Sequence, residues 1–224
     1  MNVINYTGAR PLLSVVIPIR ALEPAVMARC IASIAALKHA PLIELVVVHT
    51  GPFDSALVAA SAYAFHGIRV VECAEPGIYR AYNMGASMAS GRYLLFFGHD
   101  DIALGGMDKA IARVAHEAGS RVMVAAVVYM EGNGLRKPNR LRPLVAFRNW
   151  SHQGILYSSQ LLAERGYDES YPVRADHVLN IQLLADRSVK YLRLPFVVSF
   201  FSAGGYSTRA GADEHSDKSQ ARIA

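Results

Sequence analysis

The sequence predicts an α/β domain with a mostly parallel central sheet flanked by helices, and three observations carry that prediction. Short β-branched apolar runs alternate with segments of helical spacing through the first hundred residues, the pattern of repeated strand–helix–strand units. Apolar residues make up 52% of the chain and charged residues 18%, a balance suited to a folded α/β core rather than to a disordered or membrane-embedded chain. The conspicuous polar residues of this half follow the carboxyl ends of the apolar runs, where open parallel sheets bind ligands.

The elements follow in order. "LLSVVIP" (12–18) reads as a buried strand stopped by Pro18. A helix then begins near Pro24, with Val26, Met27, Cys30, Ile31, Ile34 and Leu37 at helical spacing. "LIELVVVH" (42–49) is a second strand, "SALVAASAYAF" (55–65) a second helix and "IRVVEC" (68–73) a third strand. "RAYNMGASMAS" (80–90) reads as a helix with Gly91 as its C-cap, and "RYLLFF" (92–97) as a fourth strand. The second half is less regular. Helices are expected at 107–119, at 158–166 closing on Gly166, and at 176–187, where Val178, Leu179, Ile181, Leu183 and Leu184 face mostly inward. Strands are expected at 121–130 and 194–201, and a small, polar, mobile tail after them.

At 224 residues the chain can bury one full core without staples. Its two cysteines, Cys30 and Cys73, lie in apolar segments and read as reduced, buried thiols of a cytoplasmic protein. No apolar run approaches the ~20 residues that span a bilayer, and the N-terminus lacks a signal-peptide layout. The net charge of +5 is uneven. Residues 132–163 contain no acid, yet hold Arg136, Lys137, Arg140, Arg142 and Arg148. Such a block suits phosphates, an acidic glycan or the inner membrane surface, or is simply a solvated basic loop. No recognition module accompanies it, so nucleic acid is not an expected partner.

Adjacent carboxylates repel one another, so Asp100 and Asp101 behind "LLFF" need a reason. At a strand end facing a ligand crevice they suit a hard cation such as Mg²⁺ or Mn²⁺, although acids also favour turns.

The ordered series "LLSVVIPIR", "LIELVVVHTGPFD" and "EPGIYRAYNMGASMASGRYLLFFGHDD" resembles the family 2 glycosyltransferases of bacterial surface-polysaccharide type, which have an A-type fold. "SHQGILYSSQLLAERGYDESYPVRADHVLNIQLL" and "GGYST" extend the resemblance over roughly 12–208. It implies one domain, with a nucleotide-sugar half at about 12–101, an acceptor half at about 102–208 and a tail at 209–224.

By this resemblance Asp100 matches the last acid of the family's metal motif, holding Mg²⁺ or Mn²⁺ on the donor diphosphate, and Asp101 follows as an extra acid. Asp176 matches the general base on the acceptor hydroxyl. An inverting transfer needs such a carboxylate opposite the cation. From the residues alone Asp176 would read as a helix N-terminal acid. Donor contacts are expected from Pro18, Arg20, Thr50, Asp54, Tyr79, Arg80, Asn83 and His99 as well as Asp100. Arg80 suits a phosphate at a helix start or is a surface cation, and Asp54 is a donor contact or a helix cap. His152, Gln153 and Arg174 fall on the acceptor side, with His152 as a wall residue rather than a base.

Five positions depart from the family pattern. Gly98 replaces the first acid of the metal motif, His49 and Thr50 stand where acids read the base, Arg20 stands where a short polar residue is usual, and His177 replaces an aromatic. The implied donor is a nucleotide-diphosphate sugar, UDP-linked by preference, with GDP or dTDP open. The implied acceptor is a glycan or lipid-linked hydroxyl. The reading of another class is a decayed transferase fold that binds nucleotide sugar or glycan without turnover, motivated by Gly98 and His49. A nucleotidyltransferase would need a glycine-rich loop after the first strand, and "IPIRALEP" has no glycine.

Overall fold

In the computed structural model, residues 2–5 and 10–202 are described. The strands β2 (Leu13–Ile19), β3 (Ile43–His49), β4 (Gly67–Glu72) and β5 (Tyr93–Phe96) run parallel, in the spatial order β4-β3-β2-β5. The β-branched residues of β2 and β3 are buried on both faces, as a covered parallel sheet requires. Parallel neighbours need crossovers. Helix α1 (Pro24–Ala35) links β2 to β3, α2 (Ala56–Ala59) lies between β3 and β4, and α3 (Ile78–Met88) links β4 to β5. All four strands therefore point their carboxyl ends to one rim.

The second half continues the same sheet. After β6 (Ile102–Ala103) and α4 (Gly106–Ala115) come β7 (Val122–Met130), β8 (Gly134–Arg136), β9 (Ile155–Ser158), α5 (Ser159–Glu164), α6 (Ala175–Ala185) and β10 (Lys190–Phe201). Strand β9 pairs antiparallel with β5 on one side and β7 on the other, and β10 runs parallel to β7. Strand β1 (Asn2–Asn5) adds an antiparallel edge on β4, and β6 one on β10, giving ten strands.

Alternation along the strands sorts the core into two layers. Val15 and Ile17 of β2 meet Met27, Cys30 and Ile31 of α1 and Met107, Ile111 and Val114 of α4. Val16, from the same strand, faces Ala81 and Tyr82 of α3 and the apolar stripe Leu179, Leu183 and Leu184 of α6. Both cysteines are buried and unpaired. Among the described residues no helix is long and apolar enough to cross a membrane.

The structure corrects several expectations. The helix expected at 55–65 is only α2 and a 3₁₀ turn at Ala62–Ala64, because Ser61 (φ −105°, ψ 4°) leaves the helical region and Tyr63 faces solvent. Gly91 does not cap α3, which ends in an extended Ala89. A Cβ on Gly91 would lie 2.5 Å from the Ser14 backbone nitrogen, so the glycine admits a close chain approach. Gly166 likewise leaves the turn after α5 close to Asn83. On α6, Val178 and Ile181 are only partly buried. The last strand starts at Lys190 rather than 194 and pairs with β7 along its length. The "GGYST" turn and the tail after it lie outside the described residues.

Candidate functional site

Beyond the carboxyl end of β5 the chain turns sharply through Gly98–Asp101. Asp101 is fully buried, and its Oδ2 accepts the Gly98 N–H at 2.6 Å, which closes the turn. Its Oδ1 has no hydrogen-bond partner among the described residues. Burial pushes the Asp101 carboxyl up to about 7, against the pull of the Gly98 N–H, the His152 charge and the neighbouring Gln153. Asp100 is partly open, and Gly98 makes room for it: a Cβ there would lie 2.5 Å from Asp100 Oδ1. The glycine that replaces an acid thus also seats the acid that remains. His99, between them in the turn, is partly exposed.

Asp176 stands in the first turn of α6, where the helix dipole favours negative charge. Tyr79 Oη donates to its Oδ1 at 3.1 Å, and Asn149 Nδ2 to its Oδ2 at 2.8 Å. His152 Nδ1 lies 3.7 Å from the same Oδ2, and its Nε2 is 3.2 Å from Tyr82 Oη. Burial would raise this carboxyl, but the nearby His152 and the hydrogen bonds from Asn149 and Tyr79 outweigh it and hold it below the usual aspartate range. Its position is also fixed from the backbone: Arg174, with φ 69°, is the one described non-glycine residue in the left-handed region.

His152 and Gln153 open the 3₁₀ turn that leads into β9, and they tie the two acid sites together. His152 faces Asp176, and the buried Gln153 lies beside Asp101. Strand β9, wedged antiparallel between β5 and β7, is what brings this pair to the rim.

The remaining expected residues divide. Pro18 pairs in register with Val48 at the end of β2, Arg20 is exposed just beyond, and the Thr50 N–H bonds to Ile19 O. Asp54 Oδ1 accepts the Ala56 N–H at 2.9 Å in a local turn just before α2, whose N-cap residue is Ser55 rather than Asp54. His49 stacks on Phe53 with ring centroids 5.1 Å apart. Arg80 is engaged on both sides, by Glu75 and by Glu169 at 3.0 Å. Asn83 bonds Tyr167 through both its backbone O and N–H, and also Glu169. In this conformation Arg80 and Asn83 fasten the 166–169 turn to α3. Asn149, Tyr82 and Glu169 were not singled out from sequence. Asn149 sits in a stretch that reads as basic loop, and only the acidic Glu169 beside Asp168 carried any signal.

Among the described residues no group of three or more His, Cys, Asp or Glu side chains could hold a metal. Asp100 alone presents an accessible carboxylate at the turn, while Asp101 is spent closing it. That donor set fits a magnesium- or manganese-type ion taking one protein carboxylate with substrate phosphates and water, not an all-protein cage.

The model for "Glycosyl transferase family 2" matches residues 14–184. The chain belongs to the family 2 glycosyltransferases. It is 33% identical over 210 residues to the "PGL/p-HBAD biosynthesis glycosyltransferase" of Mycobacterium bovis, and equally to that of Mycobacterium tuberculosis, covering 89% of this chain and 80% of each relative. Its fold is similar to the crystal structure of S. aureus TarS 1-349, with a TM-score of 0.64 at 14% identity over 86% of this chain and 60% of that one. TarS 1-349 in complex with UDP gives the same TM-score at 16% identity, over 85% of this chain and again 60% of that one. The chain thus spans about three fifths of the TarS fragment. These solved structures bear out the A-type glycosyltransferase fold, and the acids at 100, 101 and 176 all lie inside the span matched to the glycosyltransferase family.

Proposed function

We propose that this glycosyltransferase moves a sugar with inversion from a nucleotide-diphosphate sugar, UDP-linked by preference, to a hydroxyl of a glycan or lipid-linked acceptor, with Asp176 as general base. The observation that supports the reading is a buried carboxylate in the first turn of α6 whose pKa is held below the usual aspartate range by the side chains around it. In the reaction the acceptor O–H gives its proton to Asp176 as the oxygen bonds to the sugar's anomeric carbon. The bond from that carbon to the diphosphate breaks, and the nucleoside diphosphate leaves with the electron pair. Tyr79 and Asn149 hold the carboxylate in place, and His152 stands beside it. Asp100 would hold a divalent cation, which when bound offsets the negative charge of the leaving diphosphate. The UDP preference draws support from TarS, whose structures were solved with UDP and with UDP-GlcNAc.

Asp176→Asn tests the assignment. Turnover should fall ~10²–10⁴-fold, the usual contribution of a general base, while calorimetric binding of the nucleotide sugar stays unchanged. Full turnover in a folded Asp176→Asn protein would reject it.

A further inference from the structure

We propose that residues 140–148 form a docking wedge that seats the acceptor side of the protein on an anionic lipid surface. The core of this stretch is the 3₁₀ helix Arg142–Ala146. Leu144 lies on this helix, and Leu141 and Phe147 flank it at its two ends. All three are exposed, at 63%, 41% and 87%. The helix itself is anchored. Val145 is buried, and Arg142 donates to the carbonyls of Asp186 at 3.2 Å and Val189 at 2.6 Å. The apolar residues are therefore presented by a fixed element, not by a loose loop.

Charge identifies the occupant. Lys137, Arg140 and Arg148 flank the apolar residues in sequence, are exposed, and pair with no described carboxylate. The acid-free run from 132 to 163 leaves nothing local to neutralise them. Apolar side chains flanked by unpaired cations match the boundary of an anionic bilayer, where headgroups meet the cations and acyl chains the apolar groups. An acidic protein partner would supply the charge but not a reason for Phe147 to stand almost wholly in solvent.

The wedge is continuous with the catalytic wall. Val145 O meets His177 Nε2 at 2.6 Å, and Asn149, one residue past Arg148, holds Asp176. Docking here would bring Asp176 toward hydroxyls at the lipid headgroup level. That consequence rests on the proposed function, whereas the docking itself is read without turnover.

The experiment is co-sedimentation of the full chain with vesicles of phosphatidylglycerol and phosphatidylethanolamine, against phosphatidylcholine alone. Binding to the anionic vesicles should fall about fivefold for each of Arg140→Gln and Arg148→Gln. It should fall at least tenfold in Leu144→Ser/Phe147→Ser, and should weaken with salt. Nucleotide-sugar binding by calorimetry should stay unchanged in every variant, so loss of docking is separable from loss of the donor site. No binding to anionic vesicles, equal binding to phosphatidylcholine, or binding indifferent to these substitutions would overturn the proposal. So would a stable dimer in size exclusion that Phe147→Ser dissolves, since a second copy would then be the occupant.

Discussion

At the scale of single residues, the proposed role of Asp176 as general base requires a carboxylate that stays ionised while buried. Isolated burial would push its proton on. The amide of Asn149, the phenol of Tyr79 and His152 reverse that balance, and the folded carboxyl titrates below its ordinary range. A depressed pKa means the group favours the fold above the usual aspartate range, and that contribution is lost as pH falls through the folded value. With Asp176 as the proposed base, the same sign sets the pH–rate profile. Asn149→Ala removes one donor from Oδ2, so the acid limb of kcat/KM should move to higher pH, with a nearly unchanged plateau at neutral pH. A pH–rate profile reads this directly. An unmoved acid limb with a lowered plateau would mean that Asn149 only shapes the wall. The family resemblance marked Asp176 in "RADHVL", which the residues alone give only as a helix N-terminal acid, and neither reading had a means of finding Asn149. The bond between them joins a loop to a helix across 27 residues, and no periodicity encodes it.

At the scale of elements, the buried strands were the most legible parts of the chain, because β-branched runs with polar ends admit few other readings. Strands β2 to β5 and helices α1, α4 and α6 lie close to where apolar spacing puts them. The glycines misled. Gly91 and Gly166 follow helices and invite a cap reading, yet both serve close packing, a property of the distant segment each one meets rather than of the local sequence. Arg80 and Asn83 were similarly half legible: they lie on α3 as expected, but their partners Glu75 and Glu169 come from outside the helix. Gly85, on the buried side of α3, offers a test of how tightly that helix sits on the sheet. A Cβ there would fall 2.3 Å from Val16 Cγ1 and 3.0 Å from Val48 Cγ2, both on rigid strands. Gly85→Ala should therefore destabilise the fold by ~1–3 kcal/mol, the usual cost of overpacking. For a chain of this length that lowers Tm by roughly 3–10 °C, measurable by calorimetry. A Tm within a degree of the unmodified protein would mean that α3 rides loosely.

At the scale of the whole molecule, one sheet carries both walls of the site. The parallel block β4-β3-β2-β5 supplies the turn with Asp100, β7 and β10 form the second parallel pair, and antiparallel β9 fixes the distance between them. Because β9 enters through His152 and Gln153, the seam between the halves is also where the two acid sites meet. A ligand that bridges these walls should stabilise the entire sheet rather than one loop. Binding to the native state alone contributes ~2.7 kcal/mol at a hundredfold excess over Kd, which for a chain of this size raises Tm by roughly 5–10 °C. Among UDP-, GDP- and dTDP-sugars screened with Mn²⁺, one base should give this shift and the others little. The shift should shrink in Asp100→Asn, which removes the open carboxylate from the turn without touching the Asp101 bond to Gly98 that closes it. An equal shift in Asp100→Asn, with and without Mn²⁺, would show that the donor is held by the walls alone and that the carboxylate beside Gly98 takes no part in gripping the diphosphate.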